Sequence, residues 1–116
     1  MRHRNTVNKL NRAKTERVSL IRNLLKSIVI HETINTTENR YKAIRSHFDK
    51  LINQAKIEDN SSFRRLFAIL RDEKLCQKAM DIAKTFEGRT GGYLRVYKLD
   101  NRGGDNAKMV KVELVK

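Results

Sequence analysis

Large apolar residues recur at three- and four-residue intervals from Val18 to Phe86, and beyond Gly91-Gly92 the interval falls to two. This change of period constrains the fold more than any other feature. A 3.6-residue repeat makes one face of a helix apolar, whereas a two-residue repeat makes one face of a strand apolar. Val18, Ile21, Leu24, Leu25, Ile28 and Val29 predict a first helix, with Thr15 as its N-cap and Glu16 in its first turn. Tyr41, Ile44, Phe48, Leu51, Ile52 and Ala55 predict a second, capped by Thr36 or Thr37. Phe63, Leu66, Phe67 and Leu70 predict a third, capped by Ser61 or Ser62. Leu75, Ala79, Ile82, Ala83 and Phe86 predict a fourth, capped by Asp72. Residues 32–36 hold a short β-branched run that reads as a strand.

Gly88 and Gly91-Gly92 close the helical region and offer sites for positive φ. Residues 93–99 then alternate, with Leu94 and Val96 on one face. Residues 109–115 alternate with Val110, Val112 and Leu114 together, and the turn formers of 100–106 join the two runs as a hairpin. A lone hairpin is marginal, so the run at 32–36 is expected to add a third strand, with four helices covering one face. The expected fold is α+β: a two-layer domain in the order helix, strand, three helices, two-stranded hairpin. A chain of 116 residues suits one such domain, placed at residues 15–116. Residues 1–14 have little apolar content and read as an extended basic arm ordered by a partner.

The net charge is +13, and it is unevenly placed. Residues 1–26 carry +7, residues 27–56 carry +2, residues 57–88 are neutral and residues 89–116 carry +4. A solvated surface interleaves its signs, as the middle of this chain does; the ends have the charge of a surface that meets a polyanion. No apolar run approaches the length of a membrane span, and the basic start is not followed by the apolar stretch of a secretory signal. One cysteine excludes a disulfide framework. Together these features point to a soluble cytoplasmic protein.

Catalysis has little to build on. Cys76 with His3, His31 or His47 is the only nucleophile–base set, and Cys76 sits in a helix beside Leu75 and Ala79, where a small buried residue belongs. The histidines lack metal-ligand spacing, and the glycine pairs precede a strand rather than follow one, so neither a metal nor a nucleotide cofactor is expected. Nucleic acid fits better. Arg2, Arg4, Lys9, Arg12 and Arg17 crowd the start, and Arg89, Arg95, Lys98 and Arg102 the end. By alternation Tyr93, Arg95 and Tyr97 share a face; the tyrosines either join the core or complete an aromatic–basic surface for RNA. The Gly91-Gly92 pair leaves room for a phosphate backbone to approach. The fourth helix is neutral and therefore a poor major-groove reader, which favours structured RNA over duplex DNA. A peripheral attachment to anionic lipid through the basic first helix is disfavoured by the absence of Trp and by apolar stripes sized for a core.

Several fixed spacings carry a resemblance over nearly the whole chain. These are Met1-Arg2-His3-Arg4 and Leu10-Asn11-Arg12; Arg17 with Arg22-Asn23; Ile34-Asn35-Thr36-Thr37; Arg71-Asp72; and the run Arg89-Thr90-Gly91-Gly92-Tyr93, Arg95, Lys98, Arg102, Gly104-Asp105-Asn106-Ala107, Met109 and Glu113-Leu114. In these the chain resembles the bacterial large-subunit ribosomal protein numbered seventeen. It departs from that pattern at Glu16, Tyr41 and Lys108, where histidine, alanine and proline are usual. The resemblance implies a non-enzymatic constituent of the large ribosomal subunit, bound to its large rRNA near the polypeptide exit region and touching neighbouring ribosomal proteins. It also implies RNA-binding roles for Arg2, His3, Arg4, Arg12, Arg17, Arg22, Arg89, Arg95, Lys98 and Arg102.

Overall fold

In a computed structural model, residues 9–115 are described. Their elements run α1 (Lys14–His31), β1 (Thr33–Thr37), α2 (Glu38–Ala55), α3 (Asn60–Leu70), α4 (Glu73–Thr85), β2 (Leu94–Lys98) and β3 (Met109–Leu114). The expected order of helices and strands is observed. Most of the expected arm lies outside the described residues; Lys9 to Ala13 form a turn, with Leu10 and Asn11 both at φ +54°.

The helix ends show which local interactions prevail. Thr15 does not cap α1: the N-cap lies two residues earlier, at Ala13, without a side-chain cap. Thr37 caps α2, accepting from the Arg40 N–H at 3.4 Å. At α3 the cap is Asp59 rather than either serine, because its carboxylate accepts the Ser62 N–H at 2.7 Å with the helix dipole in its favour. Ser62 is instead fully buried against α2, where its hydroxyl donates to the Gln54 carbonyl and accepts from Gln54 Nε2. Asp72 caps α4 through the Lys74 N–H at 2.8 Å. The α3 face is also rotated from expectation: Leu66 and Leu70 are buried four residues apart, while Phe67, one position round, is 42 % exposed.

The three strands form one antiparallel sheet in the order β1-β3-β2. The last strand therefore lies in the centre and supplies both partners with hydrogen bonds. Val96 and Ile34 flank Val112, and Lys98 and Thr36 flank Val110. Every second β3 residue (Val110, Val112, Leu114) is buried, and Met109, Lys111 and Glu113 look out from the other face. The main core gathers Leu25, Ile28 and Val29 of α1, Ile44, Phe48, Leu51 and Ile52 of α2, and the buried stripes of α3 and α4, including Cys76. Side chains of this size contribute roughly 1.5–3 kcal/mol each on full burial.

Between α4 and β2 the chain must turn from helix to sheet, and one edge of α2 holds that turn. The Asp49 carboxylate accepts the N–H groups of Gly92 (3.4 Å) and Tyr93 (3.3 Å). Asn53 Nδ2 donates to the Thr90 carbonyl at 3.4 Å. Lys56 donates to the Arg89 carbonyl and to the Tyr93 hydroxyl, and its ammonium stands 4.8 Å from the centre of the Tyr93 ring. Gly92 is at φ +65°, a conformation that a side chain at this position would strain. Replacing Asp49 by alanine leaves the Tyr93 N–H without its acceptor. Asp49→Ala is expected to lower unfolding free energy by about 1–3 kcal/mol in urea titration. A loss below about 0.5 kcal/mol would mean that water replaces the carboxylate.

Candidate nucleic-acid interface

The cations expected to bind a polyanion fall into two groups that the fold keeps apart. Arg2, His3 and Arg4 lie outside the described residues. Lys9, Arg12 and Arg17 stand together where the chain enters α1: the Arg12 N–H donates to the Lys9 carbonyl at 3.1 Å, and the Arg17 guanidinium reaches the Arg12 carbonyl at 3.5 Å. Arg22, five positions further on, turns to the groove between α1 and α2. The other end of α1 meets the sheet, where His31, Thr33 and Arg95 line one cleft. Arg17 and His31 are separated by about 21 Å of helix at the usual rise of ~1.5 Å per residue.

The second group surrounds the hairpin. On the sheet face turned away from the helices, Arg95 lies opposite Glu113, and Tyr97 opposite Lys111, with Asn35 on the far side of Lys111. The Tyr97 hydroxyl beside it, and then the Glu113 carboxylate, favour the charged guanidinium of Arg95 and raise its pKa further. Tyr97 is 43 % exposed and supplies a ring beside a guanidinium and an ammonium. That arrangement can stack a base and hold its phosphate. Sequence alternation already placed Tyr97 with Arg95; Lys111 joins them only through the strand register. Lys98 lies on the opposite face at the exposed edge of the sheet.

Two expectations are corrected. Tyr93 does not belong to this face: it is fully buried, and only from Leu94 onward does strand alternation operate. The turn at Gly92 directs its ring against Phe86, with centroids 4.9 Å apart, and its hydroxyl lies 2.5 Å from Asn53 Oδ1 and 2.8 Å from the Arg89 carbonyl. A ring so enclosed cannot stack on a base. Nor is the glycine pair an open cradle for phosphate, because the Gly92 N–H already faces the Asp49 carboxylate. Arg89 keeps an exposed side chain, its Nε donating to the Gly91 carbonyl at 3.2 Å.

Arg102 has a second task. Its Nε and Nη2 grip the two Asp105 oxygens at 3.1 and 2.5 Å, and Asp105 Oδ1 also accepts the Ala107 N–H at 3.2 Å. The Asn106 N–H returns to the Arg102 carbonyl at 3.0 Å, so the loop is folded on itself. The guanidinium, then the Ala107 amide, hold the Asp105 carboxyl down at about 2, against an ordinary 3.8. No cluster with the makings of a metal site occurs among the described residues, and no helix there is long and apolar enough to cross a membrane.

The sequence pattern of the family described as Ribosomal protein L17 matches residues 20–115. A large ribosomal subunit protein bL17 from Fervidobacterium nodosum is 44 % identical over 99 % of this chain and 99 % of its own length. The bL17 of Campylobacter concisus is 39 % identical, covering 99 % of this chain and 98 % of the relative. That of Mesoplasma florum is 43 % identical over 85 % of this chain and 89 % of its own.

Because the Asp105 pKa is depressed, the clasp is intact above the ordinary carboxylate range and is lost as pH falls through about 2. The Ala107 amide resonance is expected to titrate with that midpoint. In Arg102→Ala its midpoint should rise toward 3.8 and the loop amides should exchange faster. An unchanged midpoint would mean that the Ala107 N–H alone holds the carboxylate.

Proposed function

This chain belongs to the ribosomal protein L17 family, and from that premise we propose that it is a structural constituent of the large ribosomal subunit that binds large-subunit rRNA. It acts by holding RNA and neighbouring ribosomal proteins in place in the cytoplasmic ribosome, near the polypeptide exit region, and carries out no chemistry of its own. The arm with Arg2, His3, Arg4, Lys9 and Arg12 passes between RNA helices, Arg17 and Arg22 continue that contact along α1, and the hairpin engages a second stretch of RNA. The observation that supports this reading is the outer sheet face, where Arg95, Tyr97 and Lys111 stand exposed or half-buried side by side. Arg89, Lys98 and Arg102 extend its positive field around the hairpin. Tyr93 serves as the anchor beneath this surface rather than as a contact.

Two cations on one face give a measurable salt signature. Each phosphate contact contributes roughly 0.7–0.9 to the slope of log affinity against log salt. Arg95→Ala with Lys111→Ala is therefore expected to reduce the slope for large-subunit rRNA by about 1.4–1.8 in filter binding. Lys74→Ala, on α4 within the neutral segment 57–88, should leave it unchanged. In cells, a chain with Arg2, Arg4 and Arg12 all changed to alanine should be depleted from large subunits on sucrose gradients. Wild-type slopes together with wild-type incorporation would sink the reading.

A further inference from the structure

The packing of α1 on α2 and α3 is incomplete. All three buried residues of α1 (Leu25, Ile28 and Val29) lie in its C-terminal half. Toward its start, Val18 and Ile21 stand over a groove of about 340 Å³, with Leu25, Leu51 and Ile69 completing an aliphatic floor. Val18 at the mouth is 37 % exposed. Each helix lends a base to the rim: Arg22 from α1, His47 and Lys50 from α2, and Arg65 from α3. Arg65 is steadied by Gln54, whose Oε1 accepts from Nη1 at 3.4 Å. Among the described residues, no carboxylate lines the groove. Burial, and then the charge of Lys50, lowers the His47 pKa, so at neutral pH the rim presents three cations around a neutral imidazole.

We propose that this groove docks an acidic amphipathic helix of another polypeptide, with aliphatic side chains on the floor and carboxylates on Arg22, Lys50 and Arg65. An aliphatic floor inside a cationic rim matches that chemistry at both levels: apolar area drives the contact and the rim selects the sign. Other occupants match one level only. Residues 1–8 of this chain carry Arg2, His3 and Arg4 and no acid, so the rim repels them. A nucleobase would find one small ring, the His47 imidazole, on the rim and none on the aliphatic floor. The one uncharged amide, Gln54, is already bonded to Ser62 and Arg65, so the rim offers a base edge only cationic donors and the His47 imidazole. A second copy is a poor match, since each of α1 to α4 holds more Lys and Arg than Asp and Glu. The site shares Arg22 with the RNA contact proposed along α1, while Lys50 and Arg65 belong to neither RNA surface.

The probe is a fluorescein-labelled sixteen-residue peptide with leucine at helical a and d positions and glutamate on the flanks, titrated with the full chain in about 0.1 M salt. Two control peptides replace either its leucines by serine or its glutamates by lysine. The expected result is saturable binding of the leucine–glutamate peptide, at least tenfold tighter than either control. Lys50→Glu/Arg65→Glu should weaken it at least tenfold, and Lys50→Gln/Arg65→Gln by an intermediate amount. Lys74→Glu/Lys108→Glu, which changes net charge equally at a distance, should weaken it less than threefold. Equal binding of the serine peptide, or equal loss in the two charge-reversal variants, would show mere attraction to a +13 protein and overturn the proposal. So would an absence of binding. A single-stranded RNA octamer that depends on Lys50 and Arg65 where the peptide does not would give the groove to nucleic acid instead.

Discussion

The turn from helix to sheet at residues 89–93 is held by two polar side chains of α2 and by its C-cap residue, Lys56, and the placement of the sheet depends on them. Asp49, Asn53 and Lys56 follow one another at helical spacing beside the apolar stripe of Phe48, Ile52 and Ala55. They bind what a glycine-containing turn leaves unpaired: two N–H groups, two carbonyls and the Tyr93 hydroxyl. Once Tyr93 is anchored, β2 starts at Leu94 with its outward face settled. Arg95 and Tyr97 then point away from the helices, and β3 brings Lys111 between Tyr97 and Asn35. The geometry of the outer face is thus a consequence of polar contacts made on the inner side.

The helical part was legible because its stripes are long. Ile44, Phe48, Leu51, Ile52 and Ala55 are all buried as their spacing requires, and so are Ala79, Ile82, Ala83 and Phe86. The strand at residues 32–36 was found within one residue, as were both hairpin strands. What escaped was decided by single contacts rather than by periodicity. Asp59 outcompetes two serines as a cap because a carboxylate gains more from the helix dipole than a hydroxyl does. Phe67, expected on the apolar face of α3, is exposed, because a four-residue stripe is too short to determine the rotation of the helix. Tyr93 obeys the turn at Gly92 rather than the alternation of the strand that follows it.

The charge pattern was legible only as a sum over segments. The two cationic ends read as surface for a polyanion, and α1 sets Arg17 about 21 Å along its axis from His31, which lines a cleft with Arg95. Contacts at both ends would then fix the orientation of the domain as well as its affinity, because a rigid helix between two attachment points removes rotation that a single patch would permit. Within the hairpin, cations also serve the fold. Arg102 spends two of its donors on Asp105, which gives the loop its shape before any partner arrives. Preorganisation of this kind lowers the entropy lost on binding, so a guanidinium paired within the loop is not thereby lost to recognition.

Segment sums also conceal charge that tertiary structure sorts. Residues 27–56 carry +2 and residues 57–88 are neutral, a balance that reads as ordinary solvated surface. Packing separates the signs: Asp49 is drawn to the turn at Gly92 on one side of α2, while Lys50, its immediate neighbour, faces the groove with Arg65 and Arg22. Adjacent helix positions lie about 100° apart, so a neutral pair in sequence becomes an anion on one surface and a cation on another. A neutral midsection and a cationic groove are therefore compatible. The test of a docking surface in such a chain is which side of the helix each charge occupies, not how many charges the segment holds.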